Sequence, residues 1–312
     1  MAEFDYKKGL VFLRDKFVPF EDANLSIASS PVLYGLSVYT VFNVTWNKHQ
    51  KKLYIFRLKD HYKRLQNSAK IMDFHSFARE WPYEKFKTAM EDLLVKNDIE
   101  ENVLVRATIF VDELIAGTRI HDLKHSFSAY IYPFGQILSP NGINVCVSSW
   151  QRTSDNAIPS RAKVNGSYVN ASLMKNEALR NGYDDAIALD EHSHVAEGTV
   201  ANFFMVRDGV LITPDAATDI LEGITRDTMI RFARQLNIPL EIRPIDRSEL
   251  YMAEEAFFCG SSANVTPILS IDKRTIGKGQ SGPITTKLGD LYHQVRSGNE
   301  PVIESWLTAV ER

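Results

Sequence analysis

The sequence is poor in the features that mark several protein classes. Its 312 residues include two cysteines, Cys146 and Cys259, too few for a disulfide framework. Both lie in apolar, strand-like runs, so buried free thiols are expected. No segment approaches the ~20 consecutive apolar residues that a membrane helix needs, and the first ten residues contain no apolar signal core. We therefore predict a soluble, cytoplasmic protein.

An excess of charge of one sign is also missing. The 36 Lys and Arg residues nearly balance 39 Asp and Glu residues, for a net charge of -3. This balance gives no electrostatic reason to expect nucleic acid or an anionic membrane as a partner. The sequence contains no Gly-x-Gly-x-x-Gly, P-loop or Gly-x-Ser-x-Gly motif, and no Cys/His set with zinc spacing. His192 and His194 fall in a polar stretch typical of an exposed hairpin tip, so no metal site is predicted.

The chain has the length and composition of a two-domain globular protein. Hydrophobic residues make up 44% and charged residues 24% of the sequence, which is ordinary for such a protein. Leu58, Tyr62, Leu65 and Ala69 recur at helical spacing and predict an amphipathic helix. Strand and helix patterns are mixed without strict alternation, which favours an α+β architecture. The turn formers around 133–142 predict a domain boundary: a small N-terminal domain over 1–133, a linker over 134–142, and a larger domain over 143–312.

Two charged residues could take part in catalysis with a bound cofactor. Lys163 is a single lysine in a loop of small residues, directly before a predicted helix. A lysine that forms an imine needs room for a planar cofactor, but a surface lysine is the alternative. Glu197 lies between an apolar strand and a glycine-containing turn. A carboxylate there could keep a pyridine nitrogen protonated, although an isolated glutamate is more often a surface residue.

Two small-residue stretches could bind an anion or approach a ligand closely. Gly223-Ile224-Thr225-Arg226 places a glycine turn at a helix start, where backbone N–H groups and the helix dipole favour phosphate. A plain N-cap at Thr225 explains the same pattern. The stretch 260–263 (Gly-Ser-Ser-Ala) follows an apolar strand and offers hydroxyl groups and close backbone approach, and a bare turn is its alternative.

In this order and spacing, these stretches resemble the class IV aminotransferases, which are the fold-type IV enzymes of pyridoxal 5'-phosphate (PLP). The resemblance covers nearly the whole chain and is greatest to branched-chain amino-acid aminotransferases. It implies an α+β fold with a small N-terminal α/β domain and a larger, mixed, β-barrel-like C-terminal domain, assembled as a homodimer or a higher homo-oligomer. The stretches that carry it are Arg64–Lys70, Val147–Trp150, Ile158–Tyr168, Ala186–Asp190, Glu197–Phe203 and Gly223–Arg226.

The resemblance also implies a role for each matching residue. Lys163 corresponds to the imine lysine and proton shuttle, and Glu197 to the partner of the pyridine nitrogen, with Asn202 supporting the cofactor. Tyr168 corresponds to the tyrosine that contacts the phenolic oxygen of PLP. The implied phosphate ligands are Arg64, Ile224, Thr225 and Ser261. The implied substrate-binding residues are Tyr34, Tyr39, Arg106, Ser262 and Ala263.

The substrate side departs from the branched-chain pattern. The family's Phe-Glu-Gly-Ile-Arg is Tyr39-Thr40-Val41-Phe42-Asn43 here, and its Tyr-Ile-Arg is Leu104-Val105-Arg106. The lost hydroxyl and guanidinium groups should weaken carboxylate binding. We expect Tyr39, Phe42 and Leu104 to make the pocket wall more apolar.

The implied reaction moves an amino group from an aliphatic, branched-chain amino acid to 2-oxoglutarate through a Lys163 imine. We place this reaction first because Arg106 and the motifs of the larger domain fit it. The departures leave open a D-amino-acid or (R)-amine transaminase of the same fold. An aminodeoxychorismate lyase and a PLP-binding protein without catalysis are further alternatives.

Overall fold

The structure is a computed structural model that describes residues 4–134, 138–300 and 304–311. Its strands are β1 Leu10–Leu13, β2 Lys16–Pro19, β3 Ser37–Asn47, β4 Lys52–Phe56, β5 Val103–Val111, β6 His125–Pro133, β7 Ile143–Val147, β8 Asp185–Leu189, β9 Val195–Gly198, β10 Asn202–Arg207, β11 Val210–Thr213, β12 Leu240–Ile242, β13 Glu255–Gly260, β14 Asn264–Ile271, β15 Arg274–Thr275 and β16 Leu307–Ala309. Its helices are α1 Ser30–Tyr34, α2 Leu58–Ile71, α3 Phe77–Glu80, α4 Tyr83–Lys96, α5 Tyr168–Arg180, α6 Ile224–Gln235 and α7 Pro283–Arg296.

The contacts divide the chain into two units. Unit 1 comprises Met1–Gly135, Ala162–Gly166 and Gln294–Arg312, and unit 2 comprises Gln136–Arg161 and Ser167–His293. This division differs from the single predicted boundary at 134–142, of which residues 135–137 lie outside the described part. Two later segments join unit 1 because β16 pairs with β4 and Val164 pairs with Val38. Local sequence composition contains no trace of such long-range pairings.

Unit 1 is built on one antiparallel sheet. Its strand order is β16-β4-β3-β5-β6-β1-β2, and α2 packs against β3 while α4 packs against β1 and β6. The apolar stripe predicted on α2 is buried, with Leu65 0% and Ala69 2% exposed. Phe127 packs its ring against Phe86 and Trp81, at centroid distances of 5.7 and 4.7 Å. Each such aromatic side chain contributes about 1.5–3 kcal/mol through burial.

Unit 2 contains a closed barrel of six strands. The order β10-β13-β14-β7-β8-β9 returns to β10 through the pair Asn202 and Glu197. Parallel pairs, such as β7 with β8, occur beside antiparallel ones. Phe203, Ile187 and Phe258 belong to one buried hydrophobic cluster of this unit. The predicted α+β, barrel-like architecture is confirmed, and the pair that closes the barrel consists of two predicted site residues.

Several local predictions are confirmed. Both cysteines are free and buried, and burial raises the pKa of the Cys146 thiol to about 11. The turn between β8 and β9 exposes Glu191 and His192, while Asp190 is buried and accepts hydrogen bonds from the N–H groups of His192 and His194. Among helices in the described ranges, none is long and apolar enough to cross a bilayer.

Candidate active site

Lys163 lies in a short segment that pairs with the start of β3. The Tyr39 N–H donates to the Lys163 carbonyl at 3.0 Å, and the Asn165 N–H donates to the Ser37 carbonyl at 2.9 Å. Between them, Val164 forms an antiparallel bridge with Val38. The predicted loop lysine is therefore fixed by backbone hydrogen bonds to a buried strand, which limits the positions its side chain can reach.

Helix α2 connects the lysine segment to Arg64. The Ser68 hydroxyl accepts a hydrogen bond from the Lys163 N–H at 3.1 Å and donates to the Arg64 carbonyl at 2.9 Å. Ser68 is fully buried. Because Arg64 and Ser68 are four residues apart, they share one face of the helix. The structure thus brings together, within unit 1, the predicted imine lysine and one predicted phosphate ligand.

Two predicted substrate residues, Tyr39 and Arg106, lie beside the lysine. The Tyr39 ring is 4% exposed, with Arg106 Cζ 3.5 Å and Lys163 Nζ 5.0 Å from its centroid. Arg106 also donates through Nη2 to the side-chain carbonyl of Asn165. A cation over an aromatic face contributes about 0.5–2 kcal/mol, depending on its desolvation. These contacts place both cations against the same buried ring.

Tyr34, the third predicted substrate residue of unit 1, ends α1 next to the same segment. Its neighbour Gly35 has φ +68°, and a Cβ there would lie 2.6 Å from the Cα of Gly166. Both the left-handed backbone and the close approach require glycine. This tight contact places Tyr34 beside the lysine segment, although its side chain is 39% exposed.

The opposite face of β3 carries a buried polar network. Thr40 is fully buried, and its Oγ1 accepts from Arg64 Nη2 at 3.2 Å and lies 2.8 Å from His61 Nδ1. Since Arg64 can only donate, the Thr40 proton is available to His61 Nδ1. The threonine that replaces the family's glutamate thus orients Arg64.

One prediction about the pocket wall is wrong. Side chains alternate along a strand, so Phe42 shares the face of Thr40 and packs its ring 5.6 Å from that of His61. Leu104 lies opposite Asn43 and shares the face of Tyr39. The wall next to Tyr39 can therefore include Leu104 but not Phe42.

Burial lowers the pKa of His61 well below its usual value of 6.5, and the nearby charges of Arg64, Arg57 and Lys163 lower it further. The folded protein therefore holds His61 neutral, whereas the unfolded chain takes up a proton near pH 6.5. The contribution of neutral His61 to the free energy of unfolding is therefore fully present above that pH. It is lost as the pH falls toward the lowered pKa of the folded state. Each pH unit in this window should cost up to ~1.4 kcal/mol.

We expect His61→Gln to reduce the acid sensitivity of the fold. Unfolding midpoints would be measured for wild type and variant between about pH 7.5 and pH 5, and the wild-type midpoint should fall more steeply. His192→Gln, at an exposed hairpin position, is the matched control and should keep the wild-type slope. Equal slopes for wild type and His61→Gln would contradict a neutral buried imidazole.

In unit 2, Glu197 is a buried carboxylate held by two hydrogen bonds and one ion pair. It is 7% exposed; Oε2 accepts from Asn202 Nδ2 at 2.9 Å and from the Leu221 N–H at 3.2 Å, and Oε1 lies 3.0 Å from Arg152 Nε. A buried carboxylate without such partners would cost several kcal/mol. Arg152 was not predicted from the sequence; it lies two residues beyond the family stretch that ends at Trp150.

Asn202 joins Glu197 to the start of α6. Its Nδ2 also donates to the Leu221 carbonyl at 2.9 Å, just before the helix begins. A Cβ on Gly223, the N-cap residue, would lie 1.9 Å from Asn202 Oδ1. The first turn of α6 contains the predicted phosphate ligands Ile224 and Thr225, both buried. Asn202 therefore connects Glu197 to the segment that leads into the first turn of α6, and all three are predicted to bind the cofactor.

We expect Gly223→Ala to disturb this arrangement. The added methyl group would push Asn202 away and break its hydrogen bonds to Glu197 and Leu221, a strain of about 1–3 kcal/mol. The midpoint of thermal unfolding and the fraction of cofactor retained on gel filtration should both fall. Gly289→Ala is the control, because its Cβ would meet Val265 at an ordinary 3.5 Å within α7. If Gly223→Ala behaved like Gly289→Ala, the close contact would have no consequence.

The remaining predicted residues also fall in unit 2. The stretch 261–263 is the turn between β13 and β14, and it contains Ser261, Ser262 and Ala263. Asn202 pairs with Glu197 on one side and with Cys259 on the other, so this turn lies at the same end of the barrel as Glu197. Tyr168 is the first residue of α5 and packs against a cluster that includes Met174.

The family model for amino-transferases of class IV matches residues 37–271. The chain belongs to this family. It is therefore an enzyme that carries out transamination. This class IV aminotransferase is 38% identical, over 98% of either chain, to a probable branched-chain-amino-acid aminotransferase of Aquifex aeolicus (strain VF5).

Solved structures agree with this assignment. A branched-chain amino acid aminotransferase from Thermobaculum terrenum in its PLP form superposes with a TM-score of 0.89 at 33% identity, covering 99% of this chain and 100% of that one. The T.th. branched-chain enzyme complexed with N-(5'-phosphopyridoxyl)-L-glutamate gives 0.90 at 36% identity, covering 98% and 100%.

Proposed function

We propose that this class IV aminotransferase uses PLP to move an amino group from an aliphatic, branched-chain amino acid to 2-oxoglutarate, with Lys163 forming the imine to the cofactor. The observation that carries the proposal is the buried carboxylate of Glu197, held by Asn202, Leu221 and Arg152. The PLP form of the Thermobaculum terrenum relative and the phosphopyridoxyl-glutamate complex of the T.th. relative support the cofactor and the glutamate/2-oxoglutarate pair.

The donor set fits the functional groups of PLP. Lys163 offers a primary amine for the aldehyde, Glu197 an anion for the pyridine nitrogen, and Tyr168 a hydroxyl group for the phenolic oxygen. Phosphate suits the start of α6 and a guanidinium. The residues we assign to the phosphate are Arg64, Ile224, Thr225 and Ser261, and Asn202 supports the ring partner.

When bound, PLP supplies an electron sink that makes the Cα–H bond of an amino acid acidic. Residues of this chain carry out the proton transfer and stabilise the charge. Lys163 would take the proton from Cα onto Nζ and deliver it to the cofactor carbon that receives the amino group, which is the net proton shift of a transamination. Its backbone is fixed for this role by Tyr39 and Ser68. Glu197 provides a fixed negative charge because Asn202 and the Leu221 N–H hold one of its oxygens and the Arg152 guanidinium faces the other. Such preorganised charge lowers the barrier without rearrangement.

The substrate residues we propose are Tyr34, Tyr39, Arg106, Ser262 and Ala263. Tyr39 and Leu104 share one face of the sheet in unit 1, and their apolar side chains suit an aliphatic substrate. Arg106 supplies a guanidinium on that face, and it suits the second carboxylate of 2-oxoglutarate. The one face thus offers both an apolar and a cationic partner.

A panel of amino donors tests the substrate assignment. Purified enzyme would be incubated with 2-oxoglutarate and L-leucine, L-valine, D-leucine or either enantiomer of 1-phenylethylamine, and glutamate would be measured. We expect glutamate from the L-amino acids. Because Thr40 and Asn43 replace two charged residues of the family pattern, turnover only with D-leucine or the (R)-amine would instead select that alternative. Pyruvate from 4-amino-4-deoxychorismate, without glutamate formation, would indicate the lyase.

Arg106→Ala tests the acceptor side. Loss of a hydrogen bond to a charged group, worth about 1.5–3 kcal/mol, should raise the KM for 2-oxoglutarate about 10- to 100-fold. Arg79→Ala, at a side chain that is 82% exposed, is the control. Unchanged KM values for both leucine and 2-oxoglutarate in Arg106→Ala would remove Arg106 from the substrate site.

We also propose that the chain acts as a homodimer in the cytoplasm. Unit 1 exposes an apolar stretch before and within α1, in which Ile27 is 85%, Val32 54% and Leu33 52% exposed. Exposed apolar patches of this kind favour association. Light scattering on a gel-filtration column should give twice the 35.4 kDa chain mass, and a single-chain mass would contradict the dimer.

A further inference from the structure

Three potential metal ligands converge on the surface of unit 1. Asp73 follows the end of α2 in a left-handed conformation, at φ +61°. His75 contacts one oxygen of its carboxylate through Nε2, and His121, on the connection between β5 and β6, places Nδ1 3.3 Å from the other oxygen. The three ligand atoms all lie within 4.8 Å of one another.

Surface ion pairs alone would also bring histidine and aspartate together. The orientation of the His121 ring distinguishes a metal site from such ion pairs. Its second ring nitrogen, Nε2, lies 3.0 Å from the Asp122 carboxylate, while Nδ1 faces Asp73. Histidines that bind metals usually donate their other N–H to a carboxylate in this way, which fixes the tautomer and the ring orientation. His121 has one nitrogen for the shared centre and one for this outer carboxylate.

We propose that Asp73, His75 and His121 form a binding site for a divalent transition-metal ion such as Zn²⁺. Two imidazole nitrogens and one carboxylate oxygen suit such an ion, whereas Mg²⁺ and Ca²⁺ prefer oxygen ligands alone. The side chains are 42%, 66% and 70% exposed, respectively. Water can therefore reach the centre and complete the coordination.

A bound ion would link the end of α2 to the connection between β5 and β6. The ligands come from segments far apart in the sequence, so no short Cys/His spacing reveals them. The left-handed conformation of Asp73 suits asparagine as well, so Asp73→Asn removes the charge without a change of backbone.

Cobalt titration of the tag-free, chelator-treated holoenzyme tests the site. We expect one equivalent of Co²⁺ to give a visible d–d absorption band that Zn²⁺ displaces. The band should be lost in His75→Ala and His121→Ala and strongly reduced in Asp73→Asn. Asp122→Asn should weaken binding about 10- to 100-fold, as for other outer-sphere carboxylates. The double variant His192→Ala/His194→Ala, at the other surface histidine pair, is the matched control and should bind like wild type.

The thermal midpoint gives a second readout. Zn²⁺ should raise the midpoint of wild type and of the His192/His194 control, but not that of His121→Ala. No saturable binding in wild type, or one-equivalent binding that persists in His75→Ala and His121→Ala, would overturn the proposal. Loss of binding in the His192/His194 control instead would assign the ion to that hairpin.

Discussion

Replacing Lys163 with alanine is expected to reduce transamination at least ~10³-fold, because one amine both bonds to the cofactor and carries the Cα proton. The backbone at this position is held by Tyr39 and Ser68 independently of the side chain. The variant should therefore fold like wild type. Steady-state rates and the visible spectrum of the bound cofactor would be measured together, and the spectrum should change at the same time as activity is lost.

Two controls make this result specific to Lys163. Lys70→Ala removes an exposed lysine from α2 of the same unit and should keep wild-type rates and spectrum. A small added amine such as ethylamine should restore part of the activity of Lys163→Ala, because it can replace the missing proton carrier. A Lys163→Ala enzyme with wild-type turnover would exclude the proposed mechanism.

Glu197→Gln is expected to lower kcat about 10²–10³-fold, as removal of one preorganised electrostatic partner does in other enzymes. The amide is neutral, so it cannot favour a protonated ring nitrogen. Its NH₂ group must also face a donor, either Arg152 on one side or Asn202 and Leu221 on the other. The variant should therefore show both a slower proton-transfer step and weaker cofactor retention.

Glu255→Gln is the matched control for this change. Glu255 is also 7% exposed, and it accepts three hydrogen bonds, from the N–H groups of Ile284 and Thr285 and from the Thr285 hydroxyl. Its substitution should lower stability but leave kcat and the cofactor spectrum unchanged. If the two variants lost kcat to the same extent, the loss in Glu197→Gln would reflect general destabilisation.

Local patterns in the sequence predict an element where a clear period is present. The stripe of Leu58, Tyr62, Leu65 and Ala69 predicts an amphipathic helix, and all four residues lie in α2. The short helices α1 and α3 were missed because four or five residues show no period. The strand β16 was missed because it exists through its pairing with β4, more than 200 residues earlier.

Site residues could be predicted where they lie in a stretch that resembles the family. They could not be predicted where their role depends on a partner that is distant in the sequence. Glu197, Asn202 and Gly223 were found from such stretches, and the structure brings them together in unit 2. Arg152 and His61 were not found, because an arginine or a histidine is recognised as a partner only once its neighbour is known. Phe42 faces His61 and not the Tyr39 side, because side chains alternate along β3 and residues 39 and 42 differ by an odd number of positions.

Borohydride reduction of the holoenzyme, followed by peptide mapping, tests the central claim most directly. Reduction would convert the bond between lysine and cofactor into a stable amine that survives proteolysis. We expect a phosphopyridoxyl group on the peptide that contains Lys163. This label should be lost in enzyme that L-leucine has first converted to the amino form of the cofactor. A label on another lysine, or no label on Lys163 in enzyme that is active with PLP, would contradict it.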